Sequence, residues 1–159
     1  MNKNDLINEL NDEYRSLLEL VQDFGKEDFE RPGAAGPWTA RELFAHLAYW
    51  NGEAKKAIAL ALRGERPEPW LVTNIEEINA RELAACRPTP LYKVMDDFRR
   101  SQREVVAQLE AAPEQQLERE SVHKAPDGSN ANAAWIAADL VEHLRTHGEA
   151  MDIWLNSDV

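Results

Sequence analysis

Apolar positions return every three to four residues in four long segments, and no segment alternates with a period of two. In residues 4–24, Leu6, Ile7, Leu10, Tyr14, Leu17, Leu18, Val21 and Phe24 fall on one stripe, with acids and Asn11 on the rest. Gly25 follows as the expected stop. A loop over residues 31–37 leads to Trp38, and Thr39-Ala-Arg-Glu42 reads as a capping box that opens a second helix. That helix is predicted to run to Arg63, with Gly64 as its left-handed stop. Its Leu43, His46, Leu47, Trp50 and Glu53 share one face, so His46 points inward. A short helix over residues 74–85 follows, opened by a second capping box, Thr73-Asn-Ile-Glu76. Thr89 is the expected N-cap of the third long helix, with Pro90 at its first helical position. This helix runs to Ala111 and buries Leu91, Val94, Met95, Phe98, Val105 and Leu109, and Pro113 ends it. Residues 114–132 are polar and carry the turn signal Pro126-Asp-Gly128. The last helix spans residues 132–155, with Ile136, Leu140, His143, Leu144, His147, Met151 and Trp154 on its inner stripe. The expectation is an all-α fold: one four-helix-bundle domain over residues 1–159, with a short extra helix in the crossover.

Charge narrows the partners. Acids outnumber bases 29 to 18, a formal charge of −11, which repels phosphate backbones and anionic membranes. Neither a nucleic acid nor a membrane is expected as a partner, and no apolar run approaches the length of a membrane span. Cys86 stands alone, so no intrachain disulfide forms and a reducing, cytoplasmic setting is the simple expectation. No secretory signal is visible at the start of the chain.

Three of the four histidines lie on apolar faces. His143 and His147 are four residues apart, which stacks their side chains about 5–6 Å apart on one helix. Two imidazoles at that spacing can grip one metal ion, and His46 on another helix can supply a third nitrogen. Three imidazoles with a remaining open position are the pattern of a catalytic metal centre. The plain alternative is a packed, hydrogen-bonded histidine core. His123, in the polar loop, reads as solvated, and Cys86 as a small buried hydrophobe. The segment His143-Leu-Arg-Thr-His147 has Leu144 where the zincin protease motif needs its Glu, which excludes that family. Five tryptophans are many for this length. Most fit core and end-cap packing, while Trp38, Tyr49 and Trp50 can wall an apolar pocket beside the metal. Glu53 reads as a rim ion-pair residue and a weak alternative as catalytic base. Asp139 and Glu142 can orient the imidazoles by accepting their free N–H groups.

The segments Gly36-Pro-Trp-Thr-Ala-Arg-Glu-Leu-Phe-Ala-His46-Leu-Ala-Tyr-Trp50, Asn79-Ala-Arg-Glu-Leu83 and His143-Leu-Arg-Thr-His-Gly-Glu-Ala-Met-Asp-Ile-Trp-Leu155 resemble the DinB-like (YfiT-like) metalloenzyme superfamily. The likeness covers nearly the whole chain, in order. It implies an up-down-down-up four-helix bundle and a metal triad of His46, His143 and His147. Members with assigned roles include thiol-dependent transferases and isomerases that use bacillithiol, mycothiol or glutathione, and a related branch protects its host from a genotoxic electrophile. Members often carry an aromatic residue directly after the first histidine of the pair. This chain has Leu144 there, so the resemblance assigns no subfamily.

The leading expectation is a metal-dependent enzyme of hydrolase or thiol-transferase type. Its divalent cation, zinc or nickel, would activate water or a small thiol cosubstrate against an electrophilic small molecule. The rival is a metal-free, self-protecting module that sequesters a small molecule in a Trp-lined pocket. A third reading is a non-catalytic stress-response protein acting as a homodimer.

Overall fold

Four long helices carry the computed structural model, which describes residues 1–157. They are α1 (Lys3–Leu20), α3 (Ala40–Leu62), α5 (Leu91–Ala111) and α7 (Ala133–Asn156). Between them lie the short helices α2 (Lys26–Phe29), α4 (Ile75–Cys86) and α6 (Glu114–Leu117), a 3₁₀ turn at Glu68–Trp70, and the strands β1 (Pro32–Ala35) and β2 (Trp38–Thr39). Helix α1 packs on α7, α7 on α3, α3 on α5 and α5 back on α1, so the long helices close a ring. The apolar stripes meet inside it: Leu6, Leu10 and Leu17 from α1, Leu43, Phe44, Leu47 and Ile58 from α3, Phe98, Val105 and Leu109 from α5, and Ile136, Leu140 and Leu144 from α7 are all essentially buried. Each such side chain contributes about 1.5–3 kcal/mol of burial, which outweighs the intrinsic propensity of any single helix. Helix α4 lies outside the ring and packs on α3. Among the described residues, no helix is long and apolar enough to cross a membrane.

Capping chemistry sets the register of α3, which carries the first histidine. The Thr39 hydroxyl accepts from Glu42 N–H at 3.1 Å, and the Glu42 carboxylate accepts from Thr39 N–H at 3.0 Å. The far end closes through Gly64 at φ +76. Gly64 N–H reaches Ala61 O at 3.0 Å and Glu65 N–H reaches Leu60 O at 2.9 Å, a Schellman closure.

Several expected boundaries move. Helix α1 stops at Leu20 and the chain continues in turns, while Gly25 begins α2 instead of ending α1, its N–H held by Asp28 Oδ2 at 2.8 Å. The segment expected as a loop before Trp38 forms a small hairpin in which Ala35 pairs with Trp38 across Gly36 and Pro37. Four residues facing two are too few to write a period-two pattern. Gly33 in that hairpin approaches the last helix so closely that a Cβ would stand 2.4 Å from Trp154 Nε1. The second expected capping box does not form: Asn74 is the N-cap of α4 and makes no side-chain cap hydrogen bond. Pro90, not Thr89, is the N-cap of α5. In residues 114–132 the chain adds α6 and an isolated bridge between Lys124 and Asn130.

Candidate metal site

His46 stands about two turns beyond the Thr39 cap on the side of α3 that faces α7. His143 and His147 come from consecutive turns of α7. The three rings meet with centroids 5.0 Å (His46–His143), 5.0 Å (His46–His147) and 4.8 Å (His143–His147) apart. One ligating nitrogen from each ring lies within 4.8 Å of the others. His46 Nε2 and His143 Nε2 are 3.0 Å apart. Trp38, fixed by the hairpin, packs against the His46 ring at 4.9 Å.

Electrostatics keep the triad neutral. Burial, then the neighbouring His143 and His147, pull His46 from 6.5 to about 3. Burial, then His147, pulls His143 down to about 3 as well, and burial lowers His147. The imidazoles thus retain lone pairs at neutral pH, the form a metal requires. His143 Nδ1 is buried with no hydrogen-bond partner. Three neutral nitrogens converging on one point, one ring left incompletely satisfied, make a donor set that fits a first-row divalent cation.

The triad opens on a cavity of about 490 Å³, within the range that holds a small organic molecule. Trp38, Trp50, Trp70, Val72 and Ile75 supply its apolar wall, and Asn79, Asp139, Glu142 and Thr146 its polar one. Trp50 Nε1 donates to Asn79 Oδ1 at 2.8 Å, and Trp70 Nε1 donates to Asp139 Oδ2 at 2.9 Å.

Of the expected pocket residues, Trp38 and Trp50 are on this wall and Tyr49 is not. One position earlier on α3 than Trp50, Tyr49 turns to a separate cleft with Glu82, Cys86 and Arg100. Trp70 takes its place, brought in by the 3₁₀ turn. Its Pro-Glu-Pro-Trp context reads as a plain connection. Asn79 lies in one of the three resembling segments, but nothing in its spacing assigns it to an indole. Glu53 pairs with Lys56 at 2.8 Å and does not line the cavity.

Asp139 and Glu142 do line it, yet neither takes a hydrogen bond from an imidazole. Asp139 accepts from Trp70, and Glu142 pairs with Arg145, which also reaches Glu9 and Glu13. Their expected role of orienting the imidazoles is therefore replaced by bracing a tryptophan and an arginine. Cys86 is buried, its thiol donating to Leu83 O at 3.1 Å, and burial pushes that thiol up, as packing requires and a nucleophile would not. His123 lies in the loop outside the triad, where its backbone N–H meets Ser121 Oγ.

A family model described as the DinB superfamily matches residues 9–151. No curated protein and no solved structure matches the chain.

Proposed function

The chain belongs to the DinB superfamily, and from that premise we propose that it is a metal-dependent enzyme whose divalent cation, zinc or nickel, is held by His46, His143 and His147. The convergence of three neutral imidazoles on an indole-walled cavity is the observation that carries this reading. When bound, such a cation lowers the pKa of a water or a small thiol and so supplies a nucleophile at neutral pH. The chain's own residues do the rest. Burial holds the imidazoles unprotonated, and Trp38 braces the His46 ring. Trp50 and Trp70, pinned by Asn79 and Asp139, enclose the apolar body of an electrophilic substrate and exclude bulk water from it. The reaction class is hydrolysis or thiol transfer. An up-down-down-up order of the long helices, a homodimeric state and a cytoplasmic setting belong to the same proposal.

Elemental analysis of tag-free protein tests it. About one zinc or nickel per chain is expected in the parent, and close to none in His46→Ala and His143→Ala, provided both variants stay folded by circular dichroism. Parent protein that takes up neither metal overturns the proposal. The 3.0 Å contact between His46 Nε2 and His143 Nε2 supports a second reading, since one imidazole can donate to the other without any metal. The protein is then a sequestration module for a small apolar molecule, and chelator treatment leaves both ligand binding and thermal stability unchanged.

A further inference from the structure

The cavity beside the triad has a definite sign. The indole N–H groups of Trp50 and Trp70 are engaged by Asn79 and Asp139, so neither is free to meet an anion. What remains of those rings is their π system, whose faces attract cations. The charged side chains lining the cavity are Asp139 and Glu142, and no lysine or arginine lines it among the described residues. Arg145 pairs with Glu142 but lies outside the lining, its guanidinium shared with Glu9 and Glu13. The net charge of −11 adds a long-range field of the same sign.

We infer that the substrate of this pocket is an organic cation: an apolar or aromatic body carrying an ammonium or amidinium group. The body lies among the indoles, and the positive group faces Asp139 and Glu142. Asp139 stands one turn before His143 on α7, so the positive group lies about 5–6 Å along the helix from the reacting end of the molecule. The inference rests on the reading that this cavity is the triad's substrate site. It narrows that site's electrophile to one whose non-reacting end is cationic, and it disfavours thiol cosubstrates that bear carboxylates of their own.

Three planar probes of nearly equal size separate the charge from the shape: benzamidinium, benzamide and benzoate. Each is titrated calorimetrically into zinc-loaded and chelator-treated protein. Benzamidinium is expected to bind about tenfold more tightly than benzamide in both forms. Benzoate is expected to be the weakest ligand of the metal-free form. Asp139→Asn, which keeps an acceptor for Trp70, should cut the preference for benzamidinium over benzamide about threefold. Equal affinity for benzamidinium and benzamide overturns the inference. So does benzoate binding the metal-free form as tightly as benzamidinium, or binding by none of the three. The metal reading fails separately: uptake of neither zinc nor nickel with the cation preference intact overturns the enzyme and leaves this inference standing for the sequestration module. Zinc uptake without the preference does the reverse.

Discussion

Helix α3 carries two polar clusters into the same helical ring, and they behave in opposite ways. Asn51, on the α5 side, donates to Ser101 Oγ at 3.2 Å, Ser101 Oγ donates to Phe98 O at 2.9 Å, and Gln102 donates to Leu10 O at 3.0 Å. These three are almost fully buried, none is ionisable, and the cluster ends on main-chain carbonyls. Five residues earlier, about 140° around the helix, His46 joins His143 and His147. That cluster is half-buried and opens on a cavity, whereas the Asn51 cluster is sealed inside the ring; each leaves one buried polar atom, His143 Nδ1 and Asn51 Oδ1, without a partner. A polar group that ends on backbone fastens two helices, and one that ends on its own kind keeps a capacity for something else. The two sides of one helix thus separate a sealed polar cluster from one open to a cavity.

Metal should break the symmetry between them most strongly. Zinc at about 100 times its dissociation constant is expected to stabilise the parent by about 2.7 kcal/mol, and Gln102→Leu by the same amount, but His143→Ala by almost nothing. Urea denaturation with and without zinc checks this, and an equal gain in all three proteins would mean that the ion binds elsewhere.

Acid should come next. The unfolded chain protonates His46 and His143 near 6.5, whereas the folded protein resists until about 3. Metal-free protein therefore keeps its full stability above pH 6.5 and loses it as the pH falls through that window. The loss is up to about 1.4 kcal/mol per pH unit for each histidine. Denaturation at pH 7, 6 and 5 should show this slope in the parent and a shallower one in His143→Asn. Gln102→Leu, which removes the donor to Leu10 O, should cost about 1–3 kcal/mol at every pH and leave metal content at the parental value. Smallest is Thr39→Ala, which deletes the cap ahead of His46. About 1 kcal/mol is expected in thermal melts, again with the metal retained.

The histidine side of this comparison was legible in the sequence because helical period is a geometric rule: spacings of three, four and seven place His46, His143 and His147 inward whatever surrounds them. The Thr39–Glu42 box was legible for the same local reason. The other side was hidden. Gln102 reads as a surface residue until Leu10 is brought to it across 92 positions of chain. Trp70 and Asn79 are likewise joined to the cavity by tertiary packing alone. Tyr49 faces a different cleft from its neighbour Trp50 because adjacent positions on a helix diverge by about 100°. The Thr73–Glu76 box had the right residue types, but Asn74 takes the capping position with φ −90 and ψ 46, away from the extended backbone a box requires.

The place of α7 in the ring, between α1 and α3, has a consequence for synthesis. His46 and His143 are 97 residues apart, so a ribosome that has completed the first three long helices has made one member of the triad and no partner for it. Until the final helix emerges, the nascent chain holds His46 without either of its two triad partners. Translation order alone thus defers assembly of the triad to the last helix made.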